Sequence, residues 1–103
     1  LQHMGRPKEA LNRLNLIVEA HPHHIDAIST RAAVEAELNL TAMARADYDT
    51  LIKLQPNESS YYIERAKMLI RLGEKKAARN DLDAAVRMGV PQGMVHLLYQ
   101  QVR

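Results

Sequence analysis

Apolar residues in this chain recur at intervals of three and four, the spacing that lines one face of a helix, and nowhere sustain the alternation of a half-buried strand. The clearest stretch runs from about Glu74 to Met88, where Ala77, Ala78, Leu82, Ala85 and Val86 form one stripe. Ahead of it, Tyr62, Ala66, Leu69 and Ile70 share a face of a second helix, which Asn57 is placed to cap and Gly73 to end. Ser59-Ser60 reads as capping chemistry in the same place. Two further helices are predicted over Ile25–Leu38 and Ala42–Leu54, the latter with Thr41 as its cap, and Pro7 suits the first turn of an earlier one. Pro91–Val102 is predicted as a terminal helix. Its Met94, Leu97, Leu98 and Val102 are expected to cover what precedes it, and Gln92, His96, Gln100 and Gln101 to face water. The expectation is an all-α fold.

The pattern returns at an offset of thirty-four positions. Arg31-Ala32 falls on Arg65-Ala66, Leu38 on Leu72, Ala44-Arg45 on Ala78-Arg79, and Asp47 and Asp49 on Asp81 and Asp83. These are seven identities over the thirty-four pairs from 23/57 to 56/90, where about two arise by chance. Pro22 and Pro56 keep the same interval. At twice the offset, Leu1, Gly5, Lys8, Ala10, Asn12, Leu14 and Val18 match Leu69, Gly73, Lys76, Ala78, Asn80, Leu82 and Val86. Leu1–Gly5 therefore reads as native sequence cut within a helix, not as a vector remnant. The expected organisation is one domain: the second half of a repeat over 1–22, full repeats over 23–56 and 57–90, and a solvating cap over 91–103. A cap is preferred to the opening helix of a further repeat.

Composition agrees. Fourteen alanines and thirteen leucines among 103 residues favour helix. No cysteine is present, which excludes a disulfide framework, a thiolate metal site and a cysteine nucleophile. No apolar run approaches the roughly 20 residues of a membrane helix. Fourteen Lys/Arg against twelve Asp/Glu give +2, too weak a balance to indicate nucleic acid or an acidic membrane. The lack of cysteine suits cytoplasm, slightly favoured, and periplasm alike.

A helix–turn–helix period of that length, with small packing residues and a closing proline, resembles the tetratricopeptide repeat. Leu38, Ala44, Tyr48, Leu51 and Pro56 carry the resemblance in one unit; Leu72, Gly73, Ala78, Leu82 and Ala85 in the next; Gly5, Ala10, Leu14, Ile17 and Pro22 before them. It covers Leu1 to about Val90. Ile28 departs from it at an early aromatic position that Tyr62 fills, Asn39 at the turn glycine, and Val90 at the closing proline. The resemblance implies a right-handed α-solenoid of antiparallel helix pairs whose first helices line a concave groove for segments of other proteins. Carried over position by position, that groove presents Asp26, Ser29, Thr30, Ala33 and Glu37, then Ser60, Ile63, Glu64, Lys67 and Arg71. One subclass of the family holds the carboxylate end of chaperone tails in a Lys/Asn/Arg clamp. Here Ser29, Thr30, Ala33 and Glu64 stand at clamp positions, so a chaperone tail is not the expected partner. Lys67 and Arg71 are expected to pair with Glu64 and Glu74 or to point into water.

Arg31 and Arg65 recur in phase with Asp47 and Asp81, a repetition that suits an ion-pair bracket within each unit better than catalysis. His21, His23 and His24 surround Pro22 and are the one candidate for zinc or nickel, but no cysteine or acidic partner stands at a ligand spacing. One of them is placed to cap the following helix instead. No phosphate loop, nucleophile elbow or isolated carboxylate pair is present, and Tyr62 of Tyr61-Tyr62 belongs to packing, leaving little for base stacking. The expectation is a non-catalytic protein-interaction module with a protein or peptide partner and no cofactor, metal, small-molecule substrate or membrane span. Self-association as an assembly scaffold ranks second, and association with nucleic acid third.

Overall fold

Regularly spaced prolines and turn residues divide the chain into short helices joined by tight turns, and the computed structural model, which describes residues 6–103, shows six of them. The reading of Leu1–Gly5 as the end of a helix lies outside the described residues. The helices are α1 (Pro7–Ala20), α2 (Ile25–Glu37), α3 (Thr41–Leu54), α4 (Ser59–Arg71), α5 (Lys75–Arg87) and α6 (Gln92–Gln100). No strand occurs among the described residues. Each helix packs on the next in chain order, giving a helical solenoid of 37 × 26 × 24 Å.

Two kinds of turn alternate. β-Turns at His21–His24 and Gln55–Glu58 close with N–H···O bonds of 3.0 and 3.3 Å from the fourth residue to the first. Pro22 and Pro56 take the second position of each, where proline's fixed φ fits. The other turns pass through left-handed backbone at Asn39 (φ 62°), Gly73 (φ 80°) and Gly89 (φ 109°). Beyond each of these, the N–H of Leu40, Glu74 or Val90 reaches back to Glu35, Leu69 or Ala85 at 2.8, 2.8 and 3.1 Å, closing the helix end. Asn39 thus takes the conformation of the glycine it replaces, which asparagine tolerates better than most residues.

Three expected caps fall elsewhere, Asn57 into a turn and the others into the helices they were to cap. Asn57 is the third residue of a β-turn and Glu58 stands at the N-cap of α4, without a capping hydrogen bond. Ser59 and Ser60 lie inside the helix, the Ser60 hydroxyl donating to the Glu58 carboxylate at 2.9 Å. Thr41 is the first residue of α3, behind Leu40. The histidine cap is present: His24 Nδ1 accepts the Ala27 N–H at 3.1 Å and opens α2.

The core forms two clusters. Ile28, Ala32, Ala44, Tyr48, Leu51 and Met68 join α2, α3 and α4; Ala66, Leu69, Ala78, Leu82, Val95 and Val102 join α4, α5 and α6. Helix α4 contributes to both, so neither cluster belongs to a single hairpin. Ala32 and Ala44 in the first, like Ala66 and Ala78 in the second, have no exposed surface. Methyl groups there let backbones approach, and a larger side chain costs on the order of 1–3 kcal/mol.

A polar ladder runs through the same helices. Arg31 donates through Nε and Nη2 to both carboxylate oxygens of Asp47 at 2.9 and 2.6 Å, and through Nη1 to Asn15 at 3.2 Å. Arg65 repeats this with Asp81 at 2.8 and 2.7 Å and with Asp49 at 3.0 Å. Tyr99 stands third in the series and donates to Asp83 at 2.6 Å. Each bond spans sixteen residues. Each arginine therefore ties its helix to the one behind and the one ahead. Asp47 and Asp81 are 5 % and 6 % exposed, so removing either strips a partly desolvated guanidinium of the partner that takes two of its donors.

One buried carboxyl stands apart. Glu35 is 1 % exposed and occupies the place that Leu69 fills one repeat later. Its Oε2 lies 3.7 Å from Arg31 Nε and its Oε1 has no hydrogen-bond partner. Burial above all, then hydrogen bonding with and repulsion by Asp47, pushes its pKa from the ordinary 4.5 up to about 8.

Both kinds of polar group can be tested through stability. Asp81→Ala is expected to lower it by about 3 kcal/mol, read as a shift of the denaturant midpoint; an unchanged midpoint would remove the ladder's structural role. For Glu35 the native state holds a proton that the unfolded chain releases. That contribution is complete below the ordinary value near 4.5 and is lost as pH rises through about 8. The melting temperature is expected to fall from about pH 5 to about pH 8 and to level off above, and Glu35→Gln to flatten that slope. A wild-type slope in the variant clears Glu35 as the cause.

Candidate functional site

The candidate residues lie where packing covers α2 and α4 least. On α2, Asp26, Thr30, Ala33 and Glu37 are exposed and Ser29 is half-buried, its hydroxyl donating to the Asp26 carbonyl at 3.1 Å. On α4, Ser60 and Arg71 are exposed, while Ile63, Glu64 and Lys67 are half-buried. Intervals of three and four keep each set on one helical face.

One hydrogen bond joins the two faces: Arg71 Nη1 donates to the Ala36 carbonyl of α2 at 3.2 Å. The Tyr61 phenol of α4 is held above its ordinary pKa by burial first and then by the carboxylates of Glu58 and Asp26. Tyr48 of α3 is pushed up to about 12, by burial first and then by the Glu64 carboxylate.

The surface is less cationic than its sequence. Lys67 donates to Glu64 at 3.1 Å, as expected. Arg71 is held by a backbone carbonyl, not by Glu74, which lies beyond the left-handed turn at Gly73. Ile63 packs against the second core cluster.

Helix α6 changes the picture most. Met94 and Leu97 were expected to cover the preceding helices, yet they are 73 % and 69 % exposed. Val95 and Val102 are buried instead, with Leu98 and Tyr99 packed beside them. The Tyr99–Asp83 bond fixes this rotation, since Tyr99 follows Arg65 by one repeat interval and brings Val95 and Val102 into the phases of Tyr61 and Met68. The same offset carries Ser60 and Ile63 to Met94 and Leu97. The row of candidate residues on α2 and α4 thus extends onto α6, and the signal that finds the extension is the repeat interval applied to the candidate set. On another side of α6, His96 and Gln100 are exposed and 3.2 Å apart, in the phases where α2 buries Ile28 and Ala32.

This geometry can be set beside that of known proteins. No protein-family model and no curated protein sequence matches the chain. Among solved structures, the TPR2B domain of yeast Sti1 in its complex with pHsp70 superposes with a TM-score of 0.81 at 26 % identity, over 97 % of this chain and 85 % of that one. The first TPR domain of Spaghetti (RPAP3), bound to the HSP90 peptide SRMEEVD, superposes with a TM-score of 0.85 at 17 % identity, over 97 % of this chain and 79 % of that one. The fold is that of the tetratricopeptide repeat. In this array the arginine ladder and the alanine crossings are internal, and the first-helix face is what packing leaves over.

The remaining candidates are occupied within the array. His24 is engaged as a helix cap, and among the described residues no three His, Cys, Asp or Glu side chains converge to hold a metal ion. Tyr61 and Tyr62 donate to the Gln55 side chain at 3.0 Å and to the Pro56 carbonyl at 3.2 Å. Both hydroxyls brace the Pro56 turn. No described helix is long and apolar enough to cross a membrane.

Proposed function

We propose that this chain is a non-catalytic interaction module that binds an extended or helical segment of another protein along the first-helix face. The contact runs over Ser29, Thr30, Ala33, Glu64, Lys67 and Arg71, with Asp26, Glu37, Ser60 and Ile63 at its margins. The observation that carries this reading is the likeness, at 26 % identity across nearly the whole chain, to a domain solved with its pHsp70 partner. Exposure supports it: Asp26, Thr30, Ala33, Glu37, Ser60 and Arg71 stay open although every helix is packed on its neighbours.

The partner differs in chemistry from a chaperone tail. Ser29, Thr30, Ala33 and Glu64 supply no cation at the clamp positions, and the two cations nearby already have partners within the domain. A carboxylate-rich tail meets Glu64 where the clamp needs positive charge.

The test is a screen of wild type and Ala33→Arg against an array of fluorescent peptides. Ala33 is exposed, so arginine there fills the groove without entering the core. Ligands of the wild type are expected to bind Ala33→Arg at least about tenfold more weakly, and SRMEEVD to bind the wild type at least about tenfold more weakly than the best of them. Ligands indifferent to Ala33→Arg would place recognition elsewhere.

A further inference from the structure

The groove row changes character along the solenoid. At its first two positions α2 presents Asp26 and Ser29, α4 Ser60 and Ile63, and α6 Met94 and Leu97. Single exposed leucines are ordinary on protein surfaces. Here the two most exposed large apolar side chains of the described residues are three apart on one helix, on the same face and in the groove's own phase. Two carboxylates stand elsewhere in the row: Asp26 on α2, and Glu58 at the start of α4, bonded to the Ser60 hydroxyl that lies one repeat on from Asp26. Among the described residues neither makes an ion pair; Glu58 accepts only the neutral Ser60 hydroxyl, at 2.9 Å. The groove cations lie toward the other end of the helices and are held by Glu64 and the Ala36 carbonyl.

We propose that the groove selects a segment carrying both a bulky aliphatic side chain and a lysine or arginine, the aliphatic group seated on Met94 and Leu97 and the cation on Asp26 and Glu58. This rests on the groove reading above and adds the identity of what the groove takes. The apolar end gains by covering surface that the solenoid leaves wet. The acidic end attracts a cation and repels carboxylates, the reverse of what an acidic tail requires. Neither end suffices alone. Exposed charges are screened and confer preference more than affinity, whereas two apolar side chains confer affinity with little choice among sequences.

The experiment uses three fluorescein-labelled decapeptides: one with two lysines and two leucines among serines and glycines, one with glutamates for the lysines, one with serines for the leucines. Fluorescence anisotropy is expected to rank the first at least about tenfold above each of the others. Met94→Ser/Leu97→Ser is expected to weaken it by about tenfold or more with an unchanged circular dichroism spectrum, since both side chains are exposed. Asp26→Asn/Glu58→Gln is expected to abolish the preference for lysine over glutamate. Equal or tighter binding of the glutamate peptide overturns the proposal, as does unchanged affinity in the Met94/Leu97 variant. So does a concentration-dependent dimer that this variant abolishes, because a second copy then covers the apolar pair. Ala33→Arg separates the two levels. If it blocks whichever peptides bind while the Met94/Leu97 variant does not, the groove stands and its specificity was misassigned; if it blocks none, the groove reading falls as well.

Discussion

A guanidinium presents donors in a rigid plane, and this fold uses that plane to hold three helices at once. Arg31 grips Asp47 with two donors and Asn15 with a third; Arg65 grips Asp81 and Asp49 in the same way. An ammonium of similar charge could not divide itself so, having no fixed fork. The consequence is geometric as much as energetic. Apolar contacts between helices tolerate sliding, but a bidentate bond at 2.6 to 2.9 Å sets the offset of one helix against the next. With one such joint per repeat, the stacking geometry is copied along the chain, and everything on the outer faces inherits the copy.

That copying explains why so much of the fold was legible in the sequence. The period fixed the helix positions to within a residue or two, and the identical Arg and Asp phases announced the bracket before any geometry was known. Asp49 and Asp83 recur just as plainly, yet their part in the ladder went unread, because a contact to the preceding helix pair leaves no mark within a single unit. The caps were misplaced for a local reason. Asparagine before a helix suits a cap and a turn equally well, and the proline turn claimed Asn57, whereas α3 begins one residue early and takes Thr41 in.

Helix α6 shows where pattern reading fails. Met94, Leu97, Leu98 and Val102 look like one amphipathic stripe when that segment is read alone. Aligned on the interval, they divide: Val102 falls with Met68 and is buried, whereas Met94 and Leu97 fall with exposed and half-exposed residues. Register in a solenoid is set by the neighbouring helix, here through Tyr99 and Asp83, and it overrides the local hydrophobic pattern. Glu35 is the converse case. The interval aligns it with Leu69, but a charged residue type gives no hint that it is buried until its surroundings are seen.

The same constraint bears on recognition. A side chain engaged in the ladder or a core cluster is not free to vary without loss of stability, so specificity has to reside in positions that stacking ignores. Apart from Ala33 and Ile63, those positions on α2 and α4 hold polar or charged residues, and the two cations among them are drawn back into the domain by Glu64 and the Ala36 carbonyl. Cations held in this way bind anions poorly, because a ligand must displace a partner that is already in place. The architecture shared with the chaperone-binding domains therefore carries no obligation to share their ligand: backbone geometry is transmitted by the buried phases, and ligand chemistry by the exposed ones, which here place apolar surface at α6 and the carboxylates of Asp26 and Glu58 on α2 and at the start of α4.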